Sequence, residues 1–124
     1  MNKYFKYVLV ALLTVLFGCG GGGSGSDAIY GSIAINASTK AGGITARYGS
    51  QADANIHAIN KCGTGCATVL EYWGIGQCAA VARGTNFAMG WSNGNTQAQA
   101  DSNAVAKCNS AGGLSCTIKL SMCN

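Results

Sequence analysis

His57 is the one histidine among 124 residues, so any acid–base scheme built on imidazole must pass through it. Asp53 stands four residues earlier, on the same face if the segment is helical. An Asp–His pair at that spacing is usually a local helix contact worth about 0.2–0.5 kcal/mol. A Ser–His–Asp triad would need a hydroxyl delivered from elsewhere and a positioned acid. The other carboxylates are Asp27, Glu71 and Asp101, and glycoside hydrolysis needs two acids facing across a cleft. Asp53 and Asp101 instead open two helical segments, where a negative charge opposes the helix dipole. Asp27 lies in a tether, and Glu71 stands alone in a strand beside Tyr72 and Trp73. No catalytic residue is assigned, and the chain reads as a non-enzyme.

Seven cysteines offer a second chemistry. Cys62-x3-Cys66 has tolerable zinc-ligand spacing, but Cys108 and Cys116 are too far apart to match it and a single histidine cannot complete the set. Neither a metal nor any other cofactor is expected. In an exported domain of this size an even set of six, Cys62, Cys66, Cys78, Cys108, Cys116 and Cys123, reads as three disulfides. Gly74-Ile75-Gly76 lacks the third glycine and the Lys-Ser/Thr of a phosphate loop and reads as a linker. Among the aromatics, Phe87, Met89 and Trp91 alternate onto one strand face. Trp91 leads into polar Ser92-Asn93-Gly94-Asn95, so Trp91, Asn93 and Asn95 form the candidate ligand surface.

The elements that position these residues begin with an address. Lys3 and Lys6 precede an uncharged run from Tyr7 to Phe17 and then Gly18-Cys19, the pattern of a secretory signal. Leu16-Phe17-Gly18-Cys19 resembles the lipobox of bacterial lipoproteins, which implies lipid on Cys19. Residues 1–18 are then signal peptide, 19–27 the lipidated cysteine and a Gly/Ser tether, and 28–124 one domain. Such a tether spans on the order of 15 Å. Gly20 is not the Asp that resembles an inner-membrane retention signal, so the expected location is the outer membrane, facing the periplasm. Six cations against four acids remain after Lys3 and Lys6 are removed. They are scattered along the chain, without the dense basic stripe that nucleic-acid binding requires.

An internal repeat organises the rest. Ser32–Cys62 laid over Cys78–Cys108 without a gap matches Gln51 with Gln97, Ala54 with Ala100, Ala58 with Ala104 and Cys62 with Cys108. A four-residue insertion then brings Cys66 onto Cys116 and Leu70 onto Leu120. Cys62–Cys66 and Cys108–Cys116 become equivalent local bridges, leaving Cys78 to bond Cys123. Their counterparts in this alignment, Ser32 and Trp73, should then be neighbours. Each copy, about 29–73 and 75–124, reads as strand, strand, helix, strand. Ser50 and Thr96 are helix caps, and Ala52, Ile56 and Ile59 share one face of the first helix. The second helix runs to about Lys107 and the fifth strand from Phe87 to Ser92. The expected fold is α+β: two ββαβ repeats in one compact disulfide-stapled domain, with helices packed on antiparallel sheet.

Tyr30-Gly31-Ser32-Ile33-Ala34, the helix Ala52-x-Ala54-x3-Ala58-x3-Cys62, Cys78-Ala79-Ala80-Val81-Ala82, Gly90-Trp91-Ser92 and the helix ending at Cys108 carry a resemblance. The chain resembles the small exported bacterial domains catalogued as domain of unknown function 4189, over about Ala28 to Asn124. The resemblance implies export and disulfides and brings no active site. In the gapless alignment, Ile44-Thr45 replaces Gly90-Trp91 in the first copy. The functional expectation is an envelope lipoprotein with a non-catalytic domain that binds a protein or a cell-wall glycan. The alternatives are a small wall-active hydrolase and a periplasmic inhibitor or immunity protein.

Overall fold

A computed structural model describes residues 28–124. The expected signal peptide, Cys19, the expected tether and Asp27 lie outside them. The elements are β1 (Tyr30–Ile35), β2 (Gly42–Tyr48), α1 (Gln51–Cys62), β3 (Ala67–Trp73), β4 (Cys78–Arg83), β5 (Met89–Gly94), α2 (Gln97–Ser110) and β6 (Thr117–Cys123). Two antiparallel sheets result, in the orders β2-β1-β3 and β5-β4-β6. The α+β fold with ββαβ order in each half is the one expected.

Side-chain alternation decides the layers. Ile33, Ile35, Ile44 and Tyr72 of the first sheet meet Ala79 and Val81 of the second in one buried cluster, edged by Met89, Trp91 and Leu120. The sheets therefore stack face to face. The opposite face of β4 carries Cys78, Ala80 and Ala82, which pack on Ala100, Ala104 and Cys108 of α2. On the first sheet, Ser32, Ala34 and Thr45 are buried together with Ala54 and Ala58 of α1. There the Thr45 hydroxyl donates to the Ala54 carbonyl at 2.9 Å. The order of layers is α1, first sheet, second sheet, α2, with the large aliphatics between the sheets and small residues under the helices.

Small residues are required there because the helices ride close to the strands. A Cβ on Gly43 would lie 2.6 Å from the Cys62 backbone nitrogen, and one on Gly90 would lie 2.7 Å from the Lys107 carbonyl carbon. This corrects the expected face of α1. Ala54 and Ala58 are buried, while Ile56 is 55% exposed, because an Ile on the near face would hold the helix off the sheet.

The glycines also correct the alignment of the two copies. Ala34 pairs with Gly43, and Ala82 pairs with Gly90, so Gly43 is the true counterpart of Gly90 and Ile44 of Trp91. In the same way Tyr30 pairs with Trp73 where Cys78 pairs with Cys123. Ser32 and Trp73 are not partners: Ser32 faces Glu71. An aromatic pair thus stands in the first copy where the second has a disulfide. The loops between the paired strands, residues 36–41 and 84–88, differ by one residue, so a gapless match set by the helices slides the strands out of register. Two boundaries move as well. α2 continues to Ser110, since part of the inserted segment is absorbed as further helix, and β5 starts at Met89, because Phe87 has a left-handed backbone (φ 65°) that ends an extended run.

The caps follow the sequence. Ser50 accepts from the Asp53 N–H at 3.1 Å and Thr96 from the Gln99 N–H at 3.1 Å. Gly63 closes α1 with φ 104°, its N–H on the Ile59 carbonyl, a conformation that glycine adopts without a Cβ penalty. Cys62–Cys66, Cys78–Cys123 and Cys108–Cys116 are disulfide-bonded, the three pairs read from the repeat.

Candidate functional site

At one end of the sandwich the two sheets part. The ends of β1 and β4, the starts of β2, β5 and β6, and the loop carrying Lys40 meet there. Arg83, the last residue of β4, pairs with Met89 on one side and Thr117 on the other. A cleft of about 180 Å³ runs between Lys40, Ala41 and Gly42 of the first copy and Val81, Arg83, Met89, Lys119 and Leu120 of the second. Arg83 and Lys119 also line an adjoining hollow of about 430 Å³ with Thr85, Phe87, Ser115 and Thr117. On the other side, Lys40 and Met89 border a third cavity of about 430 Å³ under Trp91, walled by Ile35, Val69 and Ala88. The central cleft shares Arg83 and Lys119 with the hollow and Lys40 and Met89 with the third cavity, so the three adjoin along one opening between the sheets.

Charge is distributed unevenly over this opening. The described residues carry six cations and three carboxylates. Lys40, Arg83 and Lys119 line the cleft, and Asp53, Glu71 and Asp101 do not. The Arg83 guanidinium lies 5.7 Å from the centroid of the Phe87 ring, a cation–π arrangement. Phe87 itself is 58% exposed. Along the sequence the six cations are scattered; folding gathers three of them because Arg83 pairs with Thr117 across the β4–β6 ladder, which brings Lys119, two residues further along β6, to the same cleft. No local spacing could have signalled this.

The sequence-predicted surface divides. Trp91 is half-buried, with one side on the inter-sheet core and another on the cavity. Asn93 and Asn95 do not join it there. Asn95 sits toward the opposite end of the sandwich, where its side-chain Oδ1 accepts from the Gln77 side chain at 2.7 Å and its backbone N–H donates to the Gln99 side chain at 2.7 Å. Asn93 is exposed, and its backbone carbonyl accepts from Asn103 at 3.3 Å. These amides tie the β5–α2 corner together.

The residues weighed for catalysis are dispersed. His57 lies on the outer side of α1, stacked on Tyr48 at 4.7 Å between ring centroids. Asp53 and Asp101 start helices that lie on opposite outer faces, with both sheets between them. Asp101 accepts from Gln97 and from Ser121, each at 2.8 Å. One motif went unread in the sequence: Gly90-Trp91-Ser92-Asn93-Gly94 spells the Gly-x-Ser-x-Gly of nucleophile elbows. That motif needs its serine exposed on a sharp turn. Here Ser92 is inside β5, 6% exposed, under α2 and two sheets away from His57. The glycines serve helix packing instead. Among the described residues no group of three or more His, Cys, Asp and Glu side chains could hold a metal ion, and no helix is long and apolar enough to cross a membrane.

One polar group in the inter-sheet core is positioned by a glycine. The Tyr72 ring crosses β1 over Gly31, where a Cβ would collide with it, and its hydroxyl donates to the Thr45 carbonyl at 2.6 Å. Burial pushes the phenol well above its usual pKa. The β1–β2 register shifts beside this point, which leaves the Thr45 carbonyl free to accept. This is a structural hydrogen bond of the core, away from the cleft.

Residues 30–123 match the family model described as Domain of unknown function (DUF4189). No curated protein and no solved structure matches the chain.

Proposed function

The chain belongs to the DUF4189 family, and from that premise we propose that it is an exported bacterial envelope lipoprotein with a non-catalytic, glycan-binding domain. Lipid on Cys19 would anchor it to the outer membrane, facing the periplasm. The observation that carries the binding reading is the open cleft at the strand ends opposite Tyr30. β1 is six residues long, about 20 Å of extended chain. A tether entering at residue 28 therefore reaches the domain at one end, and the cleft faces outward from the other. The lining combines hydroxyls, backbone amides and cations with aliphatic side chains such as Val81, Met89 and Leu120, and has aromatic rings at two edges, a mixture that suits the hydroxyls and apolar ring faces of sugars. The separate placement of His57, Asp53, Glu71 and Asp101 weighs against the hydrolase alternative, since acid–base work needs groups converging on one point.

The test combines fractionation with co-sedimentation on purified cell-wall sacculi. The wild-type chain is expected in the membrane fraction and, extracted with detergent, to sediment with sacculi without releasing soluble fragments. Cys19→Ser should leave the membrane or accumulate as precursor. Unchanged fractionation of Cys19→Ser contradicts the anchor, and release of soluble wall fragments contradicts the non-catalytic reading.

A further inference from the structure

We propose that Lys40, Arg83 and Lys119 form an anion site for the carboxylate or phosphate groups of an acidic saccharide. This rests on the glycan-binding reading and adds the charge of the ligand and the residues that select it.

Three observations converge. The first is electrostatic. Three of the six cations of the described residues share one opening, and none of the three carboxylates lines it. Like charges held together repel, and a cleft with low-dielectric walls focuses their field on an incoming anion. The second is chemical. Arg83, its guanidinium carbon 5.7 Å from the Phe87 ring centroid, carries the planar N–H fork that pairs bidentately with carboxylate or phosphate. Lys40 and Lys119, lining the same cleft, add two point charges. The third is conformational. Among the described residues four non-glycines have positive φ, and three of them, Lys40 (63°), Phe87 (65°) and Ser115 (52°), line this opening. A left-handed backbone is unfavourable for such residues and persists only where the surrounding structure imposes it, so the fold fixes the backbone of these three residues at the mouth.

Size and shape select a saccharide over other anions. The central cleft and its neighbouring hollow together fall within the roughly 300–1,000 Å³ of small-molecule sites, more than a lone phosphate fills. Thr85, Ser115 and Thr117 supply hydroxyls that can donate and accept, and the exposed Phe87 ring offers a face to sugar C–H groups. Three cations are too few for a nucleic-acid surface, where each neutralised phosphate contributes to affinity.

The test is titration calorimetry on the full chain with its disulfides intact. The probes are oligogalacturonate, its fully methyl-esterified form and a phosphorylated mannan, with inorganic phosphate alone as a fourth. The expected result is binding of at least one anionic saccharide at least tenfold tighter than of the neutral ester, weakening steadily with added salt. Arg83→Gln with Lys119→Gln should reduce that affinity at least tenfold, whereas Arg47→Gln with Lys61→Gln, an equal loss of charge elsewhere, should change it less than twofold. Equal binding of acid and ester overturns the anion site, and so does failure of both anionic saccharides to bind. If the neutral ester binds and the cleft variant abolishes it, the glycan-binding reading stands while this inference falls. Inorganic phosphate binding as tightly as the saccharides reduces the cleft to a small-anion site and overturns the inference. Cleft and control variants weakened alike would show net charge alone at work, and would overturn it too.

Discussion

The three disulfides close loops of very different length, and this sets the order in which their removal should matter. Cys78–Cys123 spans 45 residues, Cys108–Cys116 spans 8 and Cys62–Cys66 spans 4. Loop-closure entropy then gives about 4 kcal/mol for the long bridge, about 2.5 for the second and about 2 for the third. The long bridge also fastens the start of β4 to the end of β6. For a domain of this length, 4 kcal/mol corresponds to a fall in Tm of roughly 20 °C, against about 10 °C for the shortest loop. Three double variants should be melted by calorimetry: Cys78→Ala/Cys123→Ala, Cys108→Ala/Cys116→Ala and Cys62→Ala/Cys66→Ala. Cys108 is fully buried on α2, against β4, so its replacement adds a packing loss and narrows the gap to the long bridge. Cys62 is only half-buried, so its pair gives the cleaner comparison. A Cys78/Cys123 variant that melts no lower than the Cys62/Cys66 variant would refute the reasoning.

Two further predictions follow from the packing. Gly90→Ala and Gly43→Ala should each destabilise by about 1–3 kcal/mol, because the added methyl meets helix backbone that cannot yield locally. Gly49→Ala, with nothing within 4 Å of its Cβ position, should be neutral or slightly stabilising; chemical denaturation compares all three, and equal costs would contradict the close helix approach. Tyr72 contributes to alkaline sensitivity, with a definite sign. Its folded pKa is raised, so below about pH 10 both states hold the proton, and above it the unfolded state loses the proton first and stability falls by up to about 1.4 kcal/mol per pH unit. Tyr72→Phe should flatten that alkaline slope while costing about 1 kcal/mol at neutral pH through loss of the Thr45 bond. An unchanged slope in denaturant midpoints between pH 9 and 11 would contradict the burial argument.

Much of the fold was legible because its signals are local. Ser50 and Thr96 cap the helices they were expected to cap, and the cysteine spacing after each helix gave the bridges. What failed was register. Runs such as Cys78-Ala79-Ala80-Val81-Ala82 consist of small residues that match one another at several offsets, so the helices, with their distinctive Ala and Cys spacing, dragged the strands into a false alignment. Gly43 was consequently missed as the partner of Gly90. The buried face of α1 was misjudged for a related reason: hydrophobic periodicity favours Ile56, whereas close approach to Gly43 favours Ala54 and Ala58. The cleft was illegible for a different reason. Lys40, Arg83 and Lys119 meet only through ladder pairing and sheet stacking, and no spacing along the chain encodes that.

The central claim is that the opening between the sheets is the functional face of the domain. Amide chemical-shift mapping of the ¹⁵N-labelled chain during titration with solubilised cell-wall glycan fragments tests it most directly. The account predicts shifts concentrated at Lys40, Arg83, Phe87, Ser115, Thr117 and Lys119, with His57 and Asp53 unmoved. Shifts centred on α1 around His57, or on the Asn93–Asn95 corner, with the cleft silent, would contradict it.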